Sequence, residues 1–185
     1  MINIDNIGNL KKCRVWLEEL SSMECKVVEI LSSKMETYNN MNRNNQSIGV
    51  ELFVAPRYYA LLGIKYIYKD TNNLEIYINI TEDDEKINDS LALPSDNVHL
   101  GISNEYAQTI LNTSIKVLGN LNDVPPGVLT FNIGGYGDYG SNQVIFAKAT
   151  SILIRLLVVA IQGKIDIEDL KNNVRNELNK TLTDI

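Results

Sequence analysis

Seven residues, Gly134-Gly135-Tyr136-Gly137-Asp138-Tyr139-Gly140, hold the densest set of groups from which this 185-residue chain could build a recognition site. Glycines free backbone N–H groups, a helix N-terminus beyond them adds partial positive charge, and two tyrosines can stack on a base or on a partner's side chain. The same residues also suit a strand-to-helix turn that needs positive φ at several positions, with the tyrosines partly buried. No Lys or Arg lies inside the segment, which weakens phosphate binding. The partner-binding set read from it is Tyr136, Asp138, Tyr139 and Ser141. Under the recognition reading both tyrosines are expected on the surface, with Asp138 bonded to backbone N–H groups near Ser141.

Elsewhere the chemistry is sparse. His99 is the only histidine, and Cys13 and Cys25 lie too far along the chain to complete a metal site with it, so neither a metal nor a cofactor is expected. A Ser141–His99–Asp138 triad can be drawn, yet no nucleophile elbow or spacing signature accompanies it. Glu82-Asp83-Asp84-Glu85 lacks the alternating ligands and turn glycine of a calcium loop and reads as a solvated acidic turn. No Gly-Lys-Ser/Thr phosphate loop occurs. The expectation is a protein that is not an enzyme.

Composition bounds the partners. Hydrophobic residues at 44% and charged residues at 22% describe a soluble globular chain. Lys and Arg total 17 against 23 acidic residues, and the net charge of −6 argues against DNA held on a general basic surface. Residues 48–150 carry six basic and twelve acidic groups, so the whole excess lies there. Met1 to Asp5 does not resemble a secretory leader. The apolar run Val144–Ile161 contains Lys148 and Arg155, which favours a buried core helix over a membrane span. Cys13 and Cys25, 12 residues apart in one expected helix, would sit roughly 18 Å from each other, too far to bridge. Unbridged thiols point to the cytoplasm.

The elements that must position these groups fall into two parts. Residues 1–47 read as an N-terminal helix over 9–36, capped by Asn9, followed by an Asn-rich linker. Its Val15, Trp16, Leu20 and Met23 form a stripe that would pack on the rest of the chain or on a second copy, as a homodimer contact. Residues 48–185 read as an α+β domain with an antiparallel or mixed sheet and helices on one face. Strands are expected at 48–54, 61–68, 74–80 and 128–133, and Asp70-Thr71-Asn72-Asn73 should join the second and third as a hairpin. Helices are expected from Ser103 to Leu118, from Ser141 or Asn142 to Ile161, and from Asp166 to Thr181.

From Gly101 to Leu156 the chain resembles domain IV of elongation factor G and of the ribosomal protection proteins. The likeness rests on Ile102-Ser103-Asn104-Glu105-Tyr106 opening a helix, on Pro125-Pro126-Gly127, and on the strand entering Gly135–Ser141, with Phe146, Ala147 and Ala149 in the helix beyond. It implies the βαβ fold of ribosomal protein S5 domain 2 and a non-catalytic interaction module without its GTPase, facing a protein or ribonucleoprotein partner. Gly137 stands where that family has a histidine at its tip. The alternative from composition is an acidic immunity or inhibitor protein that occludes a basic toxin or nuclease.

Overall fold

Leu62, Ile64 and Tyr66 are buried towards one side of their strand while Tyr59 and Leu61 are buried towards the other, the period of two that defines a pleated strand. The computed structural model describes residues 1–4, 11–17, 25–37, 44–81, 85–121, 124–163 and 166–180. Its elements run β1 (Ile2–Ile4), β2 (Lys11–Trp16), β3 (Val27–Glu36), β4 (Gln46–Val54), β5 (Tyr58–Tyr68), β6 (Asn73–Thr81), β7 (Val98–Leu100), α1 (Asn104–Gly119), β8 (Gly127–Gly137), α2 (Gln143–Ile161) and α3 (Ile167–Asn179). The strands make one sheet in the order β1-β2-β4-β5-β8-β6-β3, with β7 paired to the end of β8. Among the described strands only β6 and β8 are parallel; α1 lies on the crossover between them. The fold is α+β, a mixed sheet with helices on one face.

Two expectations are corrected. The helix over 9–36 is absent: its described residues form β2 and β3, on opposite sides of the sheet. Cys13 and Val15 are buried between the more exposed Lys12, Arg14 and Trp16, so a period of two overrides the helical spacing. Val27, Val28 and Ile30 are β-branched, which favours a strand further. Asn9, Leu10, Leu20, Met23 and most of the Asn-rich linker lie outside the described residues. Residues 1–47 therefore contribute strands to the sheet they were expected to flank, and none of their described residues is in a helix that could carry the dimer contact. Nor do β5 and β6 pair. The chain turns at 69–72 as expected, but β8 enters between the two strands, antiparallel to β5 and parallel to β6. The hairpin that does form is β4–β5, in register from Val54↔Tyr58 to Gln46↔Tyr66.

A bulge in β8 sets which residues reach which side. Ile64 pairs with Phe131 while Gly63 pairs with Ile133, so Asn132 is the extra residue. Phe131 accordingly packs under the helices, and Ile133 points to the far side with Tyr59, Leu61 and Val98. The far side is covered by residues 85–97 through Ile87, Leu91 and Ala92, with Trp16 beside them. Within that layer Glu51 is buried: its Oε1 accepts from the Tyr59 hydroxyl at 2.9 Å and from Leu91 N at 2.7 Å, and Arg14 Nη1 lies 3.4 Å from Oε2. The helix layer is continuous, α2 packing against α1, α3, β4 and β5. Although α2 has the length and apolarity to cross a membrane, it is mostly buried inside the fold.

Candidate functional site

The predicted site residues lie where β8 ends and the chain turns into α2. Gly134 to Gly137 belong to the strand rather than to a loop, and only 138–140 form the turn. None of its four glycines has positive φ; among the described residues Gly101, Gly127 and Gly163 do. Their use is close approach. A Cβ on Gly140 would lie 1.8 Å from the Arg57 carbonyl oxygen, and Tyr59 N donates to the Gly140 carbonyl at 3.3 Å. Gly140→Ala should therefore destabilise the fold by about 1–3 kcal/mol in urea titration, the range for a forced backbone shift. An unchanged midpoint would show that the turn is not held against the β4–β5 hairpin.

Tyr136 turns towards the helices. It sits opposite His99 in the β7–β8 register, and the rings stack with centroids 5.4 Å apart. Tyr106 of α1 follows at 5.9 Å from Tyr136, and Phe146 of α2 stacks on Tyr106 at 4.2 Å. The expectation that Tyr136 lies on the surface is thus corrected: it is half-buried, one rung of an aromatic ladder running from His99 into the core. Burial pushes the Tyr106 hydroxyl up to about 12, so that ring stays neutral.

Asp138 bonds across the turn and not along it. Its Oδ1 lies 2.6 Å from His99 Nε2, its Oδ2 accepts from Asn97 Nδ2 at 2.9 Å, and its N–H donates to the Asn97 carbonyl. Lys86 Nζ donates to Asn97 Oδ1 at 3.1 Å, extending the chain of bonds. The Asn97 amide first, and then His99, hold the Asp138 carboxyl below its ordinary value. A depressed carboxylate stabilises the fold above its unfolded pKa and loses that contribution as pH falls, so the turn loosens in acid. The role expected of Asp138 belongs instead to Ser141 and Asp96. Ser141 Oγ accepts from Gly137 N at 2.9 Å and donates to the Tyr59 carbonyl at 2.6 Å, while Asp96 Oδ1 accepts from Tyr139 N. With its hydroxyl so engaged, Ser141 is not joined to His99, although the His99–Asp138 half of the drawn triad is assembled.

Tyr139 is the outlier. It is 71% exposed on a turn fixed at both ends, and the Arg57 guanidinium carbon lies 6.0 Å from its ring centre. An aromatic ring beside a guanidinium offers a flat apolar surface with a charged rim. Sequence reasoning did not associate Arg57, Asn97, Asp96 or Tyr106 with this turn, and they carry no local signal, being separated from it by some 30 to 80 residues. Among the described residues no three His, Cys, Asp or Glu side chains group closely enough to hold a metal ion; the acidic turn at 82–84 lies outside those residues.

No protein-family model matches the chain, and no curated protein or solved structure matches it.

Proposed function

We propose that this protein is a non-catalytic binding module, similar over residues 101–156 to domain IV of elongation factor G but detached from a GTPase. It contacts a cytoplasmic protein or ribonucleoprotein partner through the turn 138–140. The observation that carries the reading is Tyr139, a large ring left in water on a turn whose backbone is tied to Tyr59, Asn97 and Asp96. A rigid support with an exposed aromatic loses little entropy on binding, which is the property of an anchor residue. Further support comes from the order β6–β7–α1–β8–α2, in which the turn follows a strand of the parallel pair β6–β8 and opens a helix. The polar residues of the predicted set, Asp138 and Ser141, shape the turn, and Tyr139 supplies the contact.

The acidic excess of residues 48–150 favours a second reading, an inhibitor that covers a basic active site on a toxin or nuclease. Affinity capture with the full chain from native cytoplasm separates the two. Ribosomal proteins and RNA retained together support the first reading. A single basic protein, released by raising the salt, supports the second and overturns the first.

A further inference from the structure

The register places Lys11, Val54 and Tyr58 in one row across β2, β4 and β5, so their side chains stand next to one another on the helix face. The first turns of α2 and the end of α3 close over that row, leaving a cavity of about 350 Å³ whose lining adds Val144, Lys148 and Leu178. That volume is in the range of small-molecule sites.

Two ammonium groups share this space. Lys11 Nζ donates to Asn179 Oδ1 at 2.9 Å, and Lys148 Nζ donates to the carbonyls of Leu178 and Lys180, each at 2.9 Å. All three acceptors are uncharged. Among the described residues neither lysine forms an ion pair. Glu177, the nearby carboxylate, is taken up by Ser151, Arg155 and Lys180. An ammonium has three donors, so Lys148 retains one and Lys11 two for a further acceptor. Burial first, and then the Lys11 charge, hold Lys148 below its ordinary value against a smaller opposing influence of the Glu177 carboxylate. The remaining walls are apolar apart from the Asn142 side chain and the Tyr58 hydroxyl, and Tyr58 and Val144 are 43% and 41% exposed.

The geometry points to a binding site for a small organic monoanion, a carboxylate carrying an apolar or aromatic body, with Lys11 and Lys148 on the carboxylate and Tyr58 and Val144 against the body. The chemistry excludes a bare phosphate as the best occupant. A dianion needs many N–H donors and tight hydration, whereas this cavity offers two lysines and Asn142 among largely apolar walls and no arginine fork. The site stands apart from Tyr139, although Tyr58 and Asn142 adjoin Arg57 and Ser141 in the chain.

Calorimetric titration of the full chain tests it, with 3-phenylpropionate, its neutral amide and inorganic phosphate as the probes. The acid is expected to bind saturably, at least about tenfold tighter than the amide and than phosphate, as charge pairing in a partly buried site requires. Lys148→Gln and Val144→Glu should each weaken it at least about tenfold, the first by removing a charge and the second by repelling the carboxylate. Val144 is exposed, so Val144→Glu tests the site even where Lys148→Gln disturbs the fold. Equal binding of acid and amide, absence of binding at millimolar concentration, or binding undiminished in a folded variant overturns the proposal.

Discussion

Phe146→Ala will cost the fold about 3–5 kcal/mol, the range for removing a fully buried aromatic ring whose surroundings cannot close on the gap. Phe146 has no exposed surface, and its α2 is packed against α1, α3 and the sheet, so little can move inward. The loss has a second part. Phe146 stacks on Tyr106 at 4.2 Å, Tyr106 meets Tyr136, and Tyr136 stacks on His99, so the first rung supports the three above it. Urea unfolding should show the lower midpoint, with the exposed Val144→Ala within about 0.5 kcal/mol of the parent as control. A loss below about 1 kcal/mol would mean that the ladder is not packed as described.

Glu51→Ala belongs to the same class of effect by a different route. The carboxylate is 2% exposed, and its removal strands three donors at once: the Tyr59 hydroxyl, Leu91 N and the inner face of Arg14. Breaking a buried charge network by removing one member typically costs about 3–5 kcal/mol. Arg14 also holds Asp89 Oδ1 at 3.2 Å, so the cover over the far side of the sheet should loosen as well. Glu51→Gln keeps the acceptor and isolates the charge. Burial is the largest influence on Glu51 and raises its pKa above the usual glutamate range, against the lowering by Leu91, Tyr59 and Arg14. Folding then takes up a proton. The contribution of Glu51 is full below the unfolded glutamate pKa of about 4.3 and is lost as pH rises through the higher folded value. Relative to the parent, Glu51→Gln should gain stability as pH is raised from about 4 towards neutrality, and a relative loss over that range would reverse the assignment.

The central strands and all three helices were legible because each carries its own period and its own punctuation. Asn142 caps α2 through a bond to Ile145 N, and Asp166 caps α3 through Glu168 N, both at residues a sequence reading selects. Ser103 occupies the expected position before α1 but makes no side-chain cap bond. The two misread regions share one cause, which is that pairing partners lie far away in the chain. Lys11–Trp16 is a strand because β4 lies beside it, far along the chain, and Val27–Glu36 because β6 does. Without those neighbours, apolar residues at mixed spacings fit a helix equally well. The turn at 69–72 was correctly located, yet the strand that separates β5 from β6 begins only at Gly127.

In the candidate site, the segment was legible and its internal geometry was not. Gly134 reads as turn chemistry, but a Cβ there would meet the Gly101 carbonyl oxygen at 2.5 Å, so it is a residue of close strand approach. Nothing near His99 in sequence shows that β7 will place it opposite Tyr136 and 2.6 Å from Asp138. That Tyr136 turns towards the helices follows from the bulge at Asn132, which resets the side of every later residue in β8.

A binding measurement with Tyr139→Ala tests the turn as the contact most directly. The exposed ring makes no core contact, so the variant should unfold within about 0.5 kcal/mol of the parent. Its affinity for the partner captured by the full chain should fall at least about tenfold, the loss of an aromatic anchor. Tyr136→Ala, by contrast, should lower stability because that ring supports His99 and Tyr106. A Tyr139→Ala protein that is equally stable and binds the partner as tightly as the parent would contradict the assignment of this turn as the contact.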